Sequence, residues 1–76
     1  MTTPPLDHAA RVWVAAALSF ESKRARQKAD RSRRRGERLD SAGNAMYAEA
    51  CRVAAQAYSE IAESYALKAA YLRRGP

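Results

Sequence analysis

A line of mostly small residues, alternately three and four positions apart, runs through the first half of the chain. This small-residue line comprises Ala15, Leu18, Ser22, Ala25, Ala29, Ser32 and Gly36. Such spacing places side chains along one face of an α-helix, whereas a strand needs a period of two. The chain is rich in alanine, and its few β-branched residues never alternate over a strand-length run. The sequence therefore predicts an all-α protein whose first helix packs closely on a neighbour.

Only the stretch Leu39–Asn44 clearly interrupts the helical pattern. We predict a lead-in over residues 1–5 and one helical-hairpin domain over 6–74, with helix 1 at about 6–38, a turn at about 39–44 and helix 2 at about 44–73. Thr3 is the expected cap of helix 1, with Pro4 at its first position. Gly36 could end helix 1 or lie inside it, and Gly43 could belong to the turn.

The second helix carries larger residues at the same spacing. They are Tyr47, Cys51, Ala54, Tyr58, Ile61, Tyr65, Lys68 and Leu72. If the two helices fold back antiparallel, Gly36 comes to face Tyr47 and Ser22 comes to face Ile61. Small residues against large ones permit close packing. We therefore predict two long antiparallel helices forming a helical hairpin.

This hairpin leaves a surplus of apolar side chains that two helices cannot bury. They are Trp13, Phe20, Leu67 and Tyr71. A chain of 76 residues is marginally stable with one small core. We therefore expect a homodimer that forms a four-helix bundle, joined mainly at the end that holds the termini. The rival structure is one uninterrupted helix in a long coiled coil. It is disfavoured by four weak helix formers, Gly36, Asp40, Gly43 and Asn44.

Positive charge is concentrated in one segment, Lys23–Arg38, here called the basic segment. Nine cations against two carboxylates give it a formal charge of +7, and the whole chain carries +6. The cations are Lys23, Arg24, Arg26, Lys28, Arg31, Arg33, Arg34, Arg35 and Arg38. A block of this kind is a typical electrostatic footprint for a polyanion. The predominance of arginine suits bidentate contacts with phosphate.

Three interpretations of the basic segment remain open. The favoured one is non-specific binding of nucleic acid, DNA or RNA, through phosphate contacts. The second is a small regulatory or inhibitory protein of the phage or plasmid type, which docks on an acidic protein surface with Trp13 and Phe20 in the contact. The third is a solvated face in an arginine-rich protein. The tyrosines could stack on bases, but three of them share the packing line, so we expect them in the core.

No pattern of catalytic residues is present in the sequence. His8 and Cys51 are the only residues of their kinds, and neither a metal cluster nor a nucleophile–base pair can be assembled from them. We expect no enzyme activity, cofactor, metal or small-molecule substrate. A single cysteine fits the cytoplasm, the N-terminus lacks a signal-peptide pattern, and the apolar run Val12–Leu18 is too short to span a bilayer. We therefore expect a cytoplasmic protein without membrane contact.

Overall fold

The computed structural model describes residues 7–74, and there it consists of two helices joined by a turn. Helix α1 spans His8–Ser41 and helix α2 spans Ala45–Arg74. They lie antiparallel in a hairpin that measures 55 × 23 × 14 Å between Cα atoms. The predicted all-α helical hairpin is therefore confirmed.

Helix α1 begins at His8, with Asp7 as its cap. The Asp7 carboxylate accepts a hydrogen bond from the Ala10 backbone N–H at 2.7 Å, which satisfies one of the free donors of the first turn. The predicted lead-in over residues 1–5 and the Thr3 cap lie outside the described residues. At its other end α1 continues to Ser41, three residues beyond the predicted end at 38.

The turn is built around Gly43, which has a φ of +82°. Its N–H donates to the Asp40 carbonyl at 3.0 Å, and the Asn44 N–H donates to the Leu39 carbonyl at 2.8 Å. These two bonds satisfy free carbonyls of the last turn in the arrangement known as a Schellman motif, where a left-handed residue follows the helix end. Gly43 therefore ends α1 and turns the chain into α2.

The small-residue line forms the packing face of α1, as its spacing predicts. Its buried members are Ala15, Ser22, Ala25, Ala29 and Gly36. Gly36 lies inside the helix, so the alternative in which it ends the helix is wrong. A Cβ atom at Gly36 would lie 3.2 Å from both the Ala48 carbonyl oxygen and the Cys51 Cβ. The absence of a side chain at Gly36 thus permits the close approach of the helices near the turn.

The packing face of α2 agrees only in part with the predicted line. Members of that line that are partly buried are Cys51, Ala54, Tyr58, Tyr65 and Leu72, but the fully buried positions lie one residue away from it. The buried residues of α2 are alanines seven positions apart: Ala48, Ala55, Ala62 and Ala69. Tyr47 and Ile61, which were expected in the interface, are 62% and 44% exposed. The Ser22 hydroxyl donates to the Ala62 carbonyl at 2.7 Å, so Ser22 lies opposite Ala62, whereas the sequence predicted Ile61 at this position. Small residues on both helices let the two backbones approach closely. The larger side chains then lie at the edges of the interface between α1 and α2.

Among residues 7–74, the buried positions are occupied by alanine, serine and glycine. Within residues 7–74 no large side chain is fully buried, and ten large apolar side chains are exposed. Such a core removes little apolar surface from water, so the hydrophobic stabilisation of a single hairpin is small. Neither described helix combines the length and the apolar character needed to cross a lipid bilayer.

Candidate nucleic-acid interface

All nine cations of the basic segment lie on α1 and are exposed. Two of them pair with carboxylates one turn away: Arg24 with Glu21 at 3.4 Å and Arg33 with Asp30 at 2.8 Å. The side chains in these pairs are about half exposed, and exposed pairs of this type contribute at most about 1 kcal/mol. A phosphate can therefore replace either carboxylate at little cost.

Four cations of the basic segment line one groove between α1 and α2, which we call the basic groove. The four are Lys28, Arg31, Arg35 and Arg38, which form the α1 wall together with Ser32 and Leu39. The α2 wall consists of Tyr47, Ala50, Cys51, Ala54 and Tyr58. The groove has a volume of about 750 Å³ and is open to solvent. Since a helix rises 1.5 Å per residue, the cation stripe from Lys28 to Arg38 is about 15 Å long.

The two carboxylates of the basic segment lie on the opposite flank of α1 from the groove. Successive helical residues are rotated by about 100°, so Lys28 and Asp30 project to opposite sides of the buried Ala29. Arg35 and Glu37 flank the buried Gly36 in the same way. No carboxylate lines the groove among the described residues. No acidic side chain in the lining therefore opposes the four cations.

Two tyrosines face the cations across the groove. Tyr47 is 62% exposed, whereas Tyr58 is partly buried and the Lys28 Nζ lies 5.8 Å from the centre of its ring. A cation at this distance from an aromatic face is attracted by the ring quadrupole. The expectation that Tyr47 packs in the core is thus wrong, since the one-residue difference in register places it at the groove.

The other five cations do not line the basic groove. Lys23 and Arg26 line a smaller groove on the opposite flank, together with Arg73. Arg73 donates a hydrogen bond to the Ser19 hydroxyl at 2.7 Å. Arg24 lies over the Phe20 ring at 6.0 Å from its centre. The basic segment therefore presents cations on both flanks of the hairpin, but only one flank combines them with tyrosines.

The four residues expected in self-association do not form one patch. Trp13 and Phe20 are 78% and 61% exposed. Each lies two positions before a buried residue, Ala15 and Ser22 respectively, and therefore projects from the side of α1 that faces away from α2. Leu67 and Tyr71 line a shallow apolar pocket between α1 and α2, together with Leu18 and Leu72. The surplus of apolar side chains is thus divided between two sides of the same end of the hairpin.

No cluster of three or more potential metal ligands occurs in the described part of the chain. Comparison with known proteins adds no identification, because no family model, curated protein or solved structure matches this chain. The geometry of the groove is therefore what indicates its function. That geometry consists of an open groove with a cationic wall and an aromatic wall. Sequence patterns located the cations but did not reveal the second wall, because it depends on the register between the helices.

Proposed function

We propose that this protein binds nucleic acid non-specifically, through phosphate contacts made by the basic segment. The basic groove carries the proposal, because it concentrates four cations on one flank without an opposing carboxylate. Arginine forms bidentate hydrogen bonds with phosphate oxygens. Each phosphate contact releases counterions and makes the affinity fall with salt, at a slope of about 0.9 per contact for duplex DNA.

In this proposal the hairpin functions as a homodimer with a four-helix bundle. The chain exposes 6117 Å², about a third more than the roughly 4,600 Å² expected for a compact protein of its mass. The excess of about 1,500 Å² per chain is in the range that each partner of an obligate dimer buries. A dimer also brings two basic segments to one ligand, and this second contact raises the affinity by an effective-concentration effect.

The function is tested by fluorescence anisotropy with labelled duplex DNA and single-stranded RNA, at low and near-physiological salt. We expect tight binding at low salt that weakens steeply as salt rises. The triple variant Arg31→Gln/Arg35→Gln/Arg38→Gln should bind more weakly and with a lower salt slope than the parent. The matched control Lys23→Gln/Arg26→Gln/Arg34→Gln removes the same charge outside the groove, and it should retain more of the affinity. Failure of the parent to bind at low salt would refute the proposal.

The second candidate function is docking on the acidic surface of a larger protein. The observation in its favour is that Trp13 and Phe20 are highly exposed on the same helix as the cations. Protein interfaces depend on a few aromatic and arginine residues, and most other contacts are nearly neutral. A titration with poly-glutamate tests this function. Tighter binding of poly-glutamate than of nucleic acid at equal salt, with loss in Trp13→Ala, would favour docking.

A further inference from the structure

We infer that the basic groove is a binding site for single-stranded nucleic acid, in which Tyr47 stacks on an unpaired base while the cations contact the phosphates. This inference rests on the proposed function and specifies its ligand. A single strand carries its phosphates along one edge and its bases along the other. The groove has the corresponding two walls, with Lys28, Arg31, Arg35 and Arg38 on α1 and tyrosines on α2.

The size of the groove fits this ligand. Its volume of about 750 Å³ lies in the range of pockets that enclose small organic ligands, about 300–1,000 Å³. The groove can therefore accept a base together with its sugar and phosphate. Because the groove is open to solvent, a strand can enter and leave it, as a site without sequence preference requires.

Tyr47 is the residue best placed for stacking. It is 62% exposed, and the ring of Tyr58, further along the same wall, is already contacted by Lys28 at 5.8 Å. Stacking on an aromatic ring is tolerant of sequence because every base has a π-face. In a duplex the base faces are covered by their neighbours, so Tyr47 has no equivalent contact. Duplex binding should therefore use the phosphate contacts alone.

The main experiment compares a labelled thymidine oligonucleotide of about twelve nucleotides, within the usual range of site sizes, with a duplex of the same length. We expect the parent to prefer the single strand. Tyr47→Ala should weaken single-strand binding by about tenfold or more and leave duplex binding nearly unchanged. Tyr47→Phe, which keeps the ring, should retain the affinity. Val53→Ala is the matched control, because Val53 is 61% exposed on the same helix and belongs neither to the groove nor to the residues expected in self-association.

An abasic oligonucleotide of the same length separates this inference from the proposed function. It keeps the sugar-phosphate chain but has no base to stack. The parent should therefore bind it with about the affinity that Tyr47→Ala has for the thymidine strand. Two outcomes would refute the stacking site while phosphate binding stands. The first is that the abasic strand binds the parent as tightly as the thymidine strand does. The second is that the duplex binds the parent as tightly as the thymidine strand does and Tyr47→Ala leaves single-strand binding unchanged. If none of the three probes binds at low salt, the proposed function fails as well.

Cys51 provides a second readout that reports the location of the ligand. It is the only cysteine in the chain and lines the groove beside Tyr47, so a maleimide reagent modifies the protein at one site. Saturating single-stranded oligonucleotide should slow the modification severalfold, and poly-glutamate or duplex should slow it less. Equal rates with and without a bound single strand would place the strand elsewhere and overturn the inference.

Discussion

At the scale of single residues, the reversal of the chain depends on Gly43. Its φ of +82° is a left-handed backbone conformation. Residues that have a Cβ adopt this conformation at a cost of about 1–2 kcal/mol. Nothing lies within 4 Å of the position that a Cβ would occupy. A substitution at Gly43 therefore tests backbone conformation without a steric clash.

We predict that Gly43→Ala lowers the free energy of unfolding by about 1–2 kcal/mol. Gly43→Asn should lower it less, because asparagine tolerates the left-handed region better than alanine. Urea unfolding followed by circular dichroism at one protein concentration measures both differences. Equal stability of Gly43→Ala and the parent would show that the turn does not adopt this conformation in solution.

Ser22 is the only buried polar side chain among the described residues, and it specifies the alignment of the helices. Its hydroxyl donates to the Ala62 carbonyl at 2.7 Å. We predict that Ser22→Ala lowers the free energy of unfolding by about 0.5–1.5 kcal/mol, the usual net value of such a bond. Ser32→Ala, on the same face but only partly buried, is the control. If both variants unfold alike, the hydrogen bond contributes nothing to stability.

At the scale of the helices, the alanines of α2 determine how closely the two elements approach. Ala62 is only 1% exposed and has no space for a larger side chain. We predict that Ala62→Leu lowers the free energy of unfolding by about 1–3 kcal/mol because it forces the helices apart. Ala70→Leu is the matched control, since Ala70 is exposed on the same helix. Its stability should equal that of the parent in the same thermal and urea unfolding experiments.

The sequence predicts the packing face of α1 correctly and that of α2 only in part. The period of the small-residue line and the glycine of the turn identified two antiparallel helices and the packing face of α1. On α2, however, two apolar lines run one position apart, with Tyr47 and Ile61 on one and Ala48 and Ala62 on the other. Periodicity cannot choose between adjacent lines. The preference for large residues opposite small ones is wrong at Tyr47 and Ile61, since close backbone approach favours small residues on both helices.

This difference of one residue also determines what could be predicted of the candidate site. The cations of α1 follow from composition, and the separation of Lys28 from Asp30 follows from helical geometry. The position of Tyr47 at the groove does not, because it depends on the rotation of α2 about its axis. A rotation of about 100° would place Tyr47 in the core, and the groove would then have no aromatic wall.

At the scale of the whole molecule, the hairpin is long and thin, and its apolar surface exceeds what its core can bury. The exposed apolar side chains include Val12, Trp13, Phe20, Ile61, Leu67 and Tyr71. Most of them lie in the half of the hairpin away from the turn, whereas the basic groove lies near the turn. Self-association at the end away from the turn would leave the groove free for ligand. The two proposed contacts are thus compatible in one molecule.

Self-association predicts that stability depends on protein concentration, because subunit binding stabilises only the folded state. We expect the melting temperature to rise with concentration, and sedimentation equilibrium to give the mass of a dimer. Trp13, the only tryptophan, is 78% exposed in the single hairpin. Its burial in a dimer should shift its fluorescence emission to shorter wavelength as concentration rises. Phe20→Ser should shift the monomer–dimer transition to higher protein concentration, because it removes an exposed apolar side chain of α1.

Leu67→Ser provides the complementary comparison, because Leu67 lies on α2 in the pocket beside Tyr71. An effect of Phe20→Ser alone would assign the dimer contact to the outer face of α1, and an effect of Leu67→Ser alone would assign it to α2. Effects of both would require a bundle in which each hairpin contacts its partner through both helices. A melting temperature independent of concentration, with the mass of a single chain, would refute self-association and leave the hairpin stable through its alanine core alone.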